Sequence, residues 1–190
     1  MRLFRAVLAL RTKFVVSALP FVLTLSVAAQ RQPVAPHYGI PTFVQLNRNS
    51  GYIFVGTVRS VSRVEPTSPG GVSTVRITFH VENALRGVRR GQTLVIREWA
   101  GRWESGEHYR VGERTMLFLF PPGKLGLTSP VGGELGKFRL DSYGHVLLNR
   151  VQVAAVASNP VLAAPQQGRN RMTLRQLSNG IRRASQESSQ

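Results

Sequence analysis

Hydrophobic and polar residues alternate through much of the middle of this chain, and the pattern predicts β-strands. Residues 72–85 are the clearest case, because every second residue from 75 to 81 is apolar: Val75, Ile77, Phe79 and Val81. The residues between them are polar, so one face of this strand should enter a core while the other meets solvent. The chain is therefore expected to be mainly β.

Two further segments, residues 52–62 and 116–120, are apolar on both faces, which predicts strands in the centre of a sheet. Gly56 lies in the middle of the first and favours a bulge or a sharp bend. The Pro, Ser and Gly cluster at 65–71 predicts a turn, so the first two strands should form a hairpin. We interpret residues 93–120 as the hairpin that joins the third and fourth strands.

Short helices are predicted at both ends of this β region. Thr42 and Gln45 fit a capping box, in which each side chain bonds the other residue's backbone, and the helix should end by Ser50. Thr173 and Gln176 repeat the pattern ahead of apolar residues that share one helical face, which predicts a terminal helix.

Together these elements predict a small closed barrel of five to six strands in residues 42–150, with a short N-terminal helix and a C-terminal helix. A linker (30–41) precedes the barrel, and a connector (151–168) follows it. Residues 169–190 are expected to hold the short terminal helix and a disordered tail.

Residues 1–29 have the pattern of a signal peptide. A basic start is followed by an apolar run over 14–27 and by small residues, with cleavage expected between Ala29 and Gln30. An uncleaved membrane anchor is the alternative, but the run is short for a span, which needs roughly 20 apolar residues. We expect an exported protein that is periplasmic, at the cell surface or extracellular, with no membrane span after cleavage.

The chain is strongly basic, with a formal net charge of +16. Signal cleavage would remove four of the 25 Lys and Arg residues and none of the nine acidic ones, which leaves +12. Most of these cations are arginines, and a guanidinium makes bidentate contacts with carboxylate, sulfate or phosphate. The alternative is that the charge serves solubility and loose attraction to an anionic cell envelope.

Metal and cofactor chemistry is not indicated. There are no cysteines, which excludes disulfides, thiolate ligands and cysteine nucleophiles. The four histidines are scattered without the spacing of metal ligands, and no phosphate-binding or dinucleotide-binding motif occurs. We therefore expect no metal and no cofactor.

Three pieces of the sequence carry a resemblance to a known family. They are the first strand at 53–58, the Phe-x-Val-x3-Leu-x-Gly segment at 79–87, and residues 109–119, where a Gly-Glu-Arg turn leads into an apolar strand. Here the chain resembles the TIMP-like and netrin-like modules, which implies an OB-type barrel. It is also similar to exported bacterial proteins of unknown function, especially from acidobacteria, which share a Ser-Pro-Val-Gly-Gly segment like 129–133.

The inhibitory activity of that family is not implied. TIMP-type inhibition uses an N-terminal cysteine that chelates the zinc of a protease, whereas the expected mature N-terminus here is Gln30 and the chain has no cysteine. What the resemblance implies is the barrel, and OB-type barrels bind oligonucleotides and oligosaccharides across one face of the sheet.

Aromatic and arginine residues that could bind a ligand are concentrated between the third and fourth strands. The candidate ligand-binding residues are Arg97, Trp99, Arg102, Trp103, Tyr109 and Arg110. Export disfavours nucleic acid, so the expected partner is an envelope protein or an anionic polysaccharide. Packing of these arginines on these aromatics through cation–π contacts is the alternative. The ligand and the oligomeric state remain open.

A catalytic interpretation would use Glu98, Glu104, Glu107 and His108 as the acid and base groups of a small hydrolase. Their spacing matches no specific motif, and we assign no catalytic residue. We expect a non-catalytic binding module. A structural envelope protein without a discrete ligand is a third hypothesis.

Overall fold

The computed structural model describes residues 41–104, 106, 108–166 and 169–187. The predicted signal peptide (1–29) and residues 30–40 of the predicted linker lie outside them. The described residues cluster as one compact unit, so the C-terminal helices are not a separate domain.

The described residues contain seven β-strands, all paired antiparallel in one sheet of order β3-β2-β1-β4-β5-β6-β7. The strands are β1 (Tyr52–Val64), β2 (Thr74–Arg86), β3 (Thr93–Trp99), β4 (Arg114–Leu119), β5 (Lys137–Leu140), β6 (His145–Leu147) and β7 (Arg171–Thr173). The helices are α1 (Phe43–Asn49), α2 (Ala100–Glu104), α3 (Arg150–Ala157), α4 (Pro160–Gln166) and α5 (Leu174–Glu187), with a 3-10 turn at Gly133–Gly136.

The mainly β prediction is confirmed, whereas the closed barrel of five to six strands is not, because β3 and β7 are the two edges of an open sheet. The predicted hairpin at 93–120 is also wrong. β3 pairs with β2, while β4 pairs with β1 and β5, so α2 and the residues after it return the chain from the edge of the sheet to its centre.

β1 is the central strand that its two apolar faces predict. It pairs with β2 on one side and with β4 on the other. Ile53 and Val55 enter one hydrophobic cluster, and Phe54 and Val58 enter the other. Gly56 lies at a register shift between β1 and β2, where an added Cβ would stand 2.8 Å from the His80 carbonyl oxygen. The predicted bulge is therefore present, and glycine is the residue that fits it.

The hydrophobic cluster that Ile53 and Val55 enter is the first cluster. It contains residues of β1, of strands β4 to β7, and of helices α1, α3, α4 and α5. The capping box of Thr42 and Gln45 is confirmed, with both reciprocal hydrogen bonds present. Within 151–168, the segment expected to be a connector, the described residues contain most of α3 and all of α4. A further capping box, between Asn149 and Gln152, begins α3, and burial of its apolar face explains why an Ala- and Val-rich segment is helical.

The terminal helix α5 is longer than predicted and extends to Glu187, so most of the expected disordered tail is helical; residues 188–190 lie outside the described ones. Thr173 and Gln176 form the expected reciprocal hydrogen bonds at its start. Gly180 marks a close approach, because an added Cβ would stand 2.5 Å from the side chain of Leu162 on α4.

The opposite face of the sheet is filled by the second hydrophobic cluster, which is the one that Phe54 and Val58 enter. It contains residues of β1, β2, β3 and β4, and Ala100 of α2. Beyond β4, Pro130 forms a β-bridge with Leu119, and the Thr128 N–H donates to the Arg97 carbonyl at 2.9 Å. Residues 119–130 thus run between β4 and the edge strand β3. None of the helices in the described part of the chain has the length and hydrophobicity to cross a bilayer.

Glu82 joins three strands through its carboxylate. It accepts hydrogen bonds from Thr57 of β1 and from Arg114 of β4, the latter at 2.6 Å. Burial is the largest single influence and acts to raise the pKa of Glu82, but the hydrogen bonds from Thr57 and Arg114 outweigh it, so this pKa lies below its ordinary value. Its interactions therefore contribute fully to stability above the ordinary glutamate pKa of 4.5 and are lost as the pH falls through the folded pKa.

We predict that Glu82→Gln, which mimics the protonated carboxyl, lowers the free energy of unfolding at pH 7 by about 1 kcal/mol. At pH 3 the difference from the wild type should shrink, because the wild-type carboxylate is then losing its charge. Urea denaturation at both pH values measures this. Glu104→Gln is the control, because that exposed side chain stands 3.7 Å from Arg63 and should contribute little. An equal difference at pH 3 and pH 7 would contradict the assignment.

Candidate functional site

Strands β1, β2 and β3 present an outward surface that we call the outer face. Three cross-strand rows define it: Ser60, Thr78 and Val95; then Ser62, Arg76 and Arg97; then Val64, Thr74 and Trp99. The residues that alternate with them on β2 and β3 are buried in the second cluster, so these side chains point away from the core. None of the outer-face residues is acidic.

Arg76 and Arg97 are direct cross-strand partners in the middle row of the outer face. Directly opposed residues of an antiparallel pair have Cβ atoms about 4.5–5.5 Å apart, and like charges placed there are destabilising. Both side chains are exposed, and neither guanidinium has a hydrogen bond or an ion pair within the described ranges. The pair is therefore a fixed concentration of positive charge with open donor groups.

Trp99 lies at the end of the outer face, beside the Arg76–Arg97 pair, and is 53% exposed. The ring lies against the backbone of Gly101, where an added Cβ would stand 2.4 Å from the ring atom Cζ2. Glycine at 101 thus allows the indole to rest on α2 while one side stays open. The arrangement places a flat apolar surface next to two cations.

A cleft of 260 Å³ adjoins the same rows, between the β1–β2 turn and residues 125–127. Arg97 and Thr74 line it, together with the exposed Leu125. Thr74 is 2% exposed, and its hydroxyl has no hydrogen-bond partner among the described residues. The cleft therefore offers a polar group of its own beside Arg97, and it is also lined by the acidic Glu65.

The structure separates the six residues predicted to bind a ligand. Arg97 and Trp99 lie on the outer face. Tyr109 is buried in the second cluster, where its hydroxyl donates to Glu98 Oε1 at 3.1 Å and its ring meets Phe79 edge-on at 5.6 Å between centroids. Trp103 is half-buried against Tyr109. These two aromatic rings are part of the core packing.

The cation over the Tyr109 ring is Lys137, at 4.2 Å from the centroid. This lysine is not one of the arginines in the predicted cation–π packing. Lys137 also pairs with Glu113 at 3.2 Å. Arg110 is exposed and lines a separate cleft of 680 Å³ that carries both signs of charge, while Arg102 is half-buried on α2. The predicted binding residues thus belong to different parts of the surface and core.

The residues of the hydrolase hypothesis have different environments. The buried Glu98 bonds Tyr109, Glu104 is exposed near Arg63, and the His108 ring packs edge-on against Trp103. Glu107 lies outside the described residues. Glu98 and Glu104 line none of the clefts at the outer face, at Arg110 or beside α5. Within the described ranges there is no group of three or more His, Cys, Asp or Glu residues that could hold a metal ion.

Two residues of the outer face, Arg76 and Thr74, were missed by sequence reasoning. Alternation along 72–85 places both on the polar side of their strand, but a polar side is ordinarily a solvated one. Their relation to Arg97 and Trp99 depends on the register between β2 and β3, which the sequence pattern alone does not specify.

No protein-family model matches this chain, and neither the curated proteins nor the solved structures contain a significant match to it.

We predict that Tyr109→Phe lowers the free energy of unfolding by about 1–3 kcal/mol, because the buried Glu98 carboxylate loses a donor. Chemical denaturation monitored by fluorescence measures the change. Tyr143→Phe is the matched control, since that residue is 85% exposed and should leave stability unchanged. Equal stability of the Tyr109→Phe variant and the wild type would show that the hydroxyl has no structural role.

Proposed function

We propose that this protein is a non-catalytic binding module that recognises an anionic polysaccharide through the outer face. The observation that carries the proposal is the juxtaposition of Arg76 and Arg97 beside the exposed Trp99. A sulfate or carboxylate between the two guanidiniums would accept hydrogen bonds from both and would relieve their mutual repulsion. The net charge of +12 expected after signal cleavage would draw such a polymer toward the surface.

Trp99 supports a sugar as the carrier of the anionic group. Residues 97 and 99 lie two positions apart on one strand, so their Cα atoms are separated by about 7 Å. A ligand that spans this distance can place an anionic substituent at the arginine pair and an apolar ring face against the indole. Thr74, which lines the adjoining cleft, adds a hydroxyl suited to a sugar hydroxyl group.

The proposed function fits an OB-like arrangement of β1 to β4. The Leu119–Pro130 bridge and the hydrogen bond from Thr128 to Arg97 support a barrel-like closure through residues 127–131. In OB folds the second and third strands and the loops beside them bind oligosaccharides, and the outer face occupies that position. The resemblance to TIMP-like and netrin-like modules and the expected signal peptide fit a binding protein at the cell envelope.

The test is isothermal titration calorimetry with heparin as the sulfated probe, polygalacturonate as the carboxylated probe and dextran as the neutral control. We expect Arg97→Ala and Trp99→Ala each to weaken binding of an anionic probe by about tenfold, or about 1.4 kcal/mol. Arg110→Ala removes an equally exposed arginine from a different cleft and should change the affinity by less than about twofold.

Salt separates a shaped site from diffuse attraction. The effect of Arg97→Ala should shrink as salt rises, whereas the effect of Trp99→Ala should persist, because contact with an apolar ring is not screened. The proposal is wrong if Arg110→Ala weakens binding as much as Arg97→Ala. It is also wrong if salt abolishes binding by the wild type and all variants alike. If an envelope protein binds and no polysaccharide does, the partner of the outer face is a protein and the glycan proposal is wrong.

A further inference from the structure

A second groove lies between the end of β2 and helix α5. Its volume is 660 Å³, within the range of small-molecule sites. It is lined by residues 83–86 of β2 and by seven residues of α5. None of these lining residues is acidic, and three are arginines.

Arg86 is the cation at the base of this groove, and its partners in the described structure are neutral. Its guanidinium donates to the Ser50 carbonyl at 3.2 Å, to the Asn47 carbonyl and side-chain oxygen, and to the Ser185 hydroxyl at 2.7 Å. These bonds fix the position of the half-buried group, but they leave its charge uncompensated. An anion in the groove would supply the missing charge.

Arg175 and Arg182 are exposed on the same side of α5, seven residues or about two helical turns apart. Both line the groove together with Arg86, which gives the groove three positive charges. Long arginine side chains of this kind can move their charged ends toward an anion while their stems stay against apolar surface.

Part of the groove is apolar. Leu85, Leu174 and the buried Ile181 line it. Ser178 also lines it and is 6% exposed, and its hydroxyl has no hydrogen-bond partner within the described ranges. A buried polar group without a partner is unusual and costs stability, so its presence beside the arginines is better explained by a ligand that it contacts.

We propose that the groove between β2 and α5 binds an anionic amphiphile, in which one anionic oxygen headgroup meets Arg86, Arg175 and Arg182 and an apolar chain lies on Leu85 and Leu174. The headgroup is matched by three cations with no carboxylate among the residues that line the groove, and the chain is matched by the apolar lining residues. This site is independent of the outer face, since the two share no lining residue.

The test is calorimetric titration of the protein with decanoate, decanol and acetate, each kept below the concentration at which it aggregates. Decanoate should bind at least about tenfold more tightly than either of the others, because it alone combines the charge with the chain. Arg182→Gln should weaken decanoate binding by about tenfold. Arg183→Gln is the matched control, an exposed neighbour on the same helix that does not line the groove, and should leave the affinity unchanged.

Three results would overturn the proposal. They are equal weakening by Arg182→Gln and Arg183→Gln, binding of decanol as tight as that of decanoate, and no detectable binding of decanoate at millimolar concentration. Arg97→Ala should leave decanoate binding intact, and Arg182→Gln should leave heparin binding intact. These two crossed measurements test the groove proposal and the outer-face proposal separately.

Discussion

The structure depends on the burial of β1 on both of its faces. Residues 53–55 alternate between two hydrophobic clusters, one covered by the helices and the other enclosed by β2, β3 and β4. A strand buried in this way must have partners along both edges, and β2 and β4 supply them. The helices at 150–187 are therefore as necessary as the strands, because without them the first cluster would face water.

The same constraint determines where a ligand can reach the sheet. The helices cover one face of β1 and of strands β4 to β7. The second cluster covers the opposite face, on β1, β2, β3 and β4. What remains open is the outward side of β2 and β3. Arg76, Arg97 and Trp99 are exposed there because packing leaves their positions uncovered, and nothing in the described structure neutralises the two guanidiniums.

Local features were predictable from the sequence, whereas non-local ones were not. The capping boxes at Thr42 and Thr173, the Gly56 bulge and the alternation along β2 depend on residues close together in the chain. Helices α3 and α4 were not predicted, because their helical state depends on burial against the first cluster. The open sheet depends on β4 pairing with both β1 and β5, which periodicity does not encode. Alternation also places Glu98 inward and Trp99 outward, but only the fold shows that Trp103 packs on the buried Tyr109.

The most direct test of the account is a nuclear magnetic resonance titration of the protein with a heparin oligosaccharide, followed at the indole N–H signals of its two tryptophans. The account predicts that the Trp99 signal and the side-chain signals of Arg76 and Arg97 shift together and saturate, while the Trp103 signal stays in place. A shift at Trp103 with none at Trp99 would contradict it, since the binding surface would then lie in the segment that the structure assigns to the core.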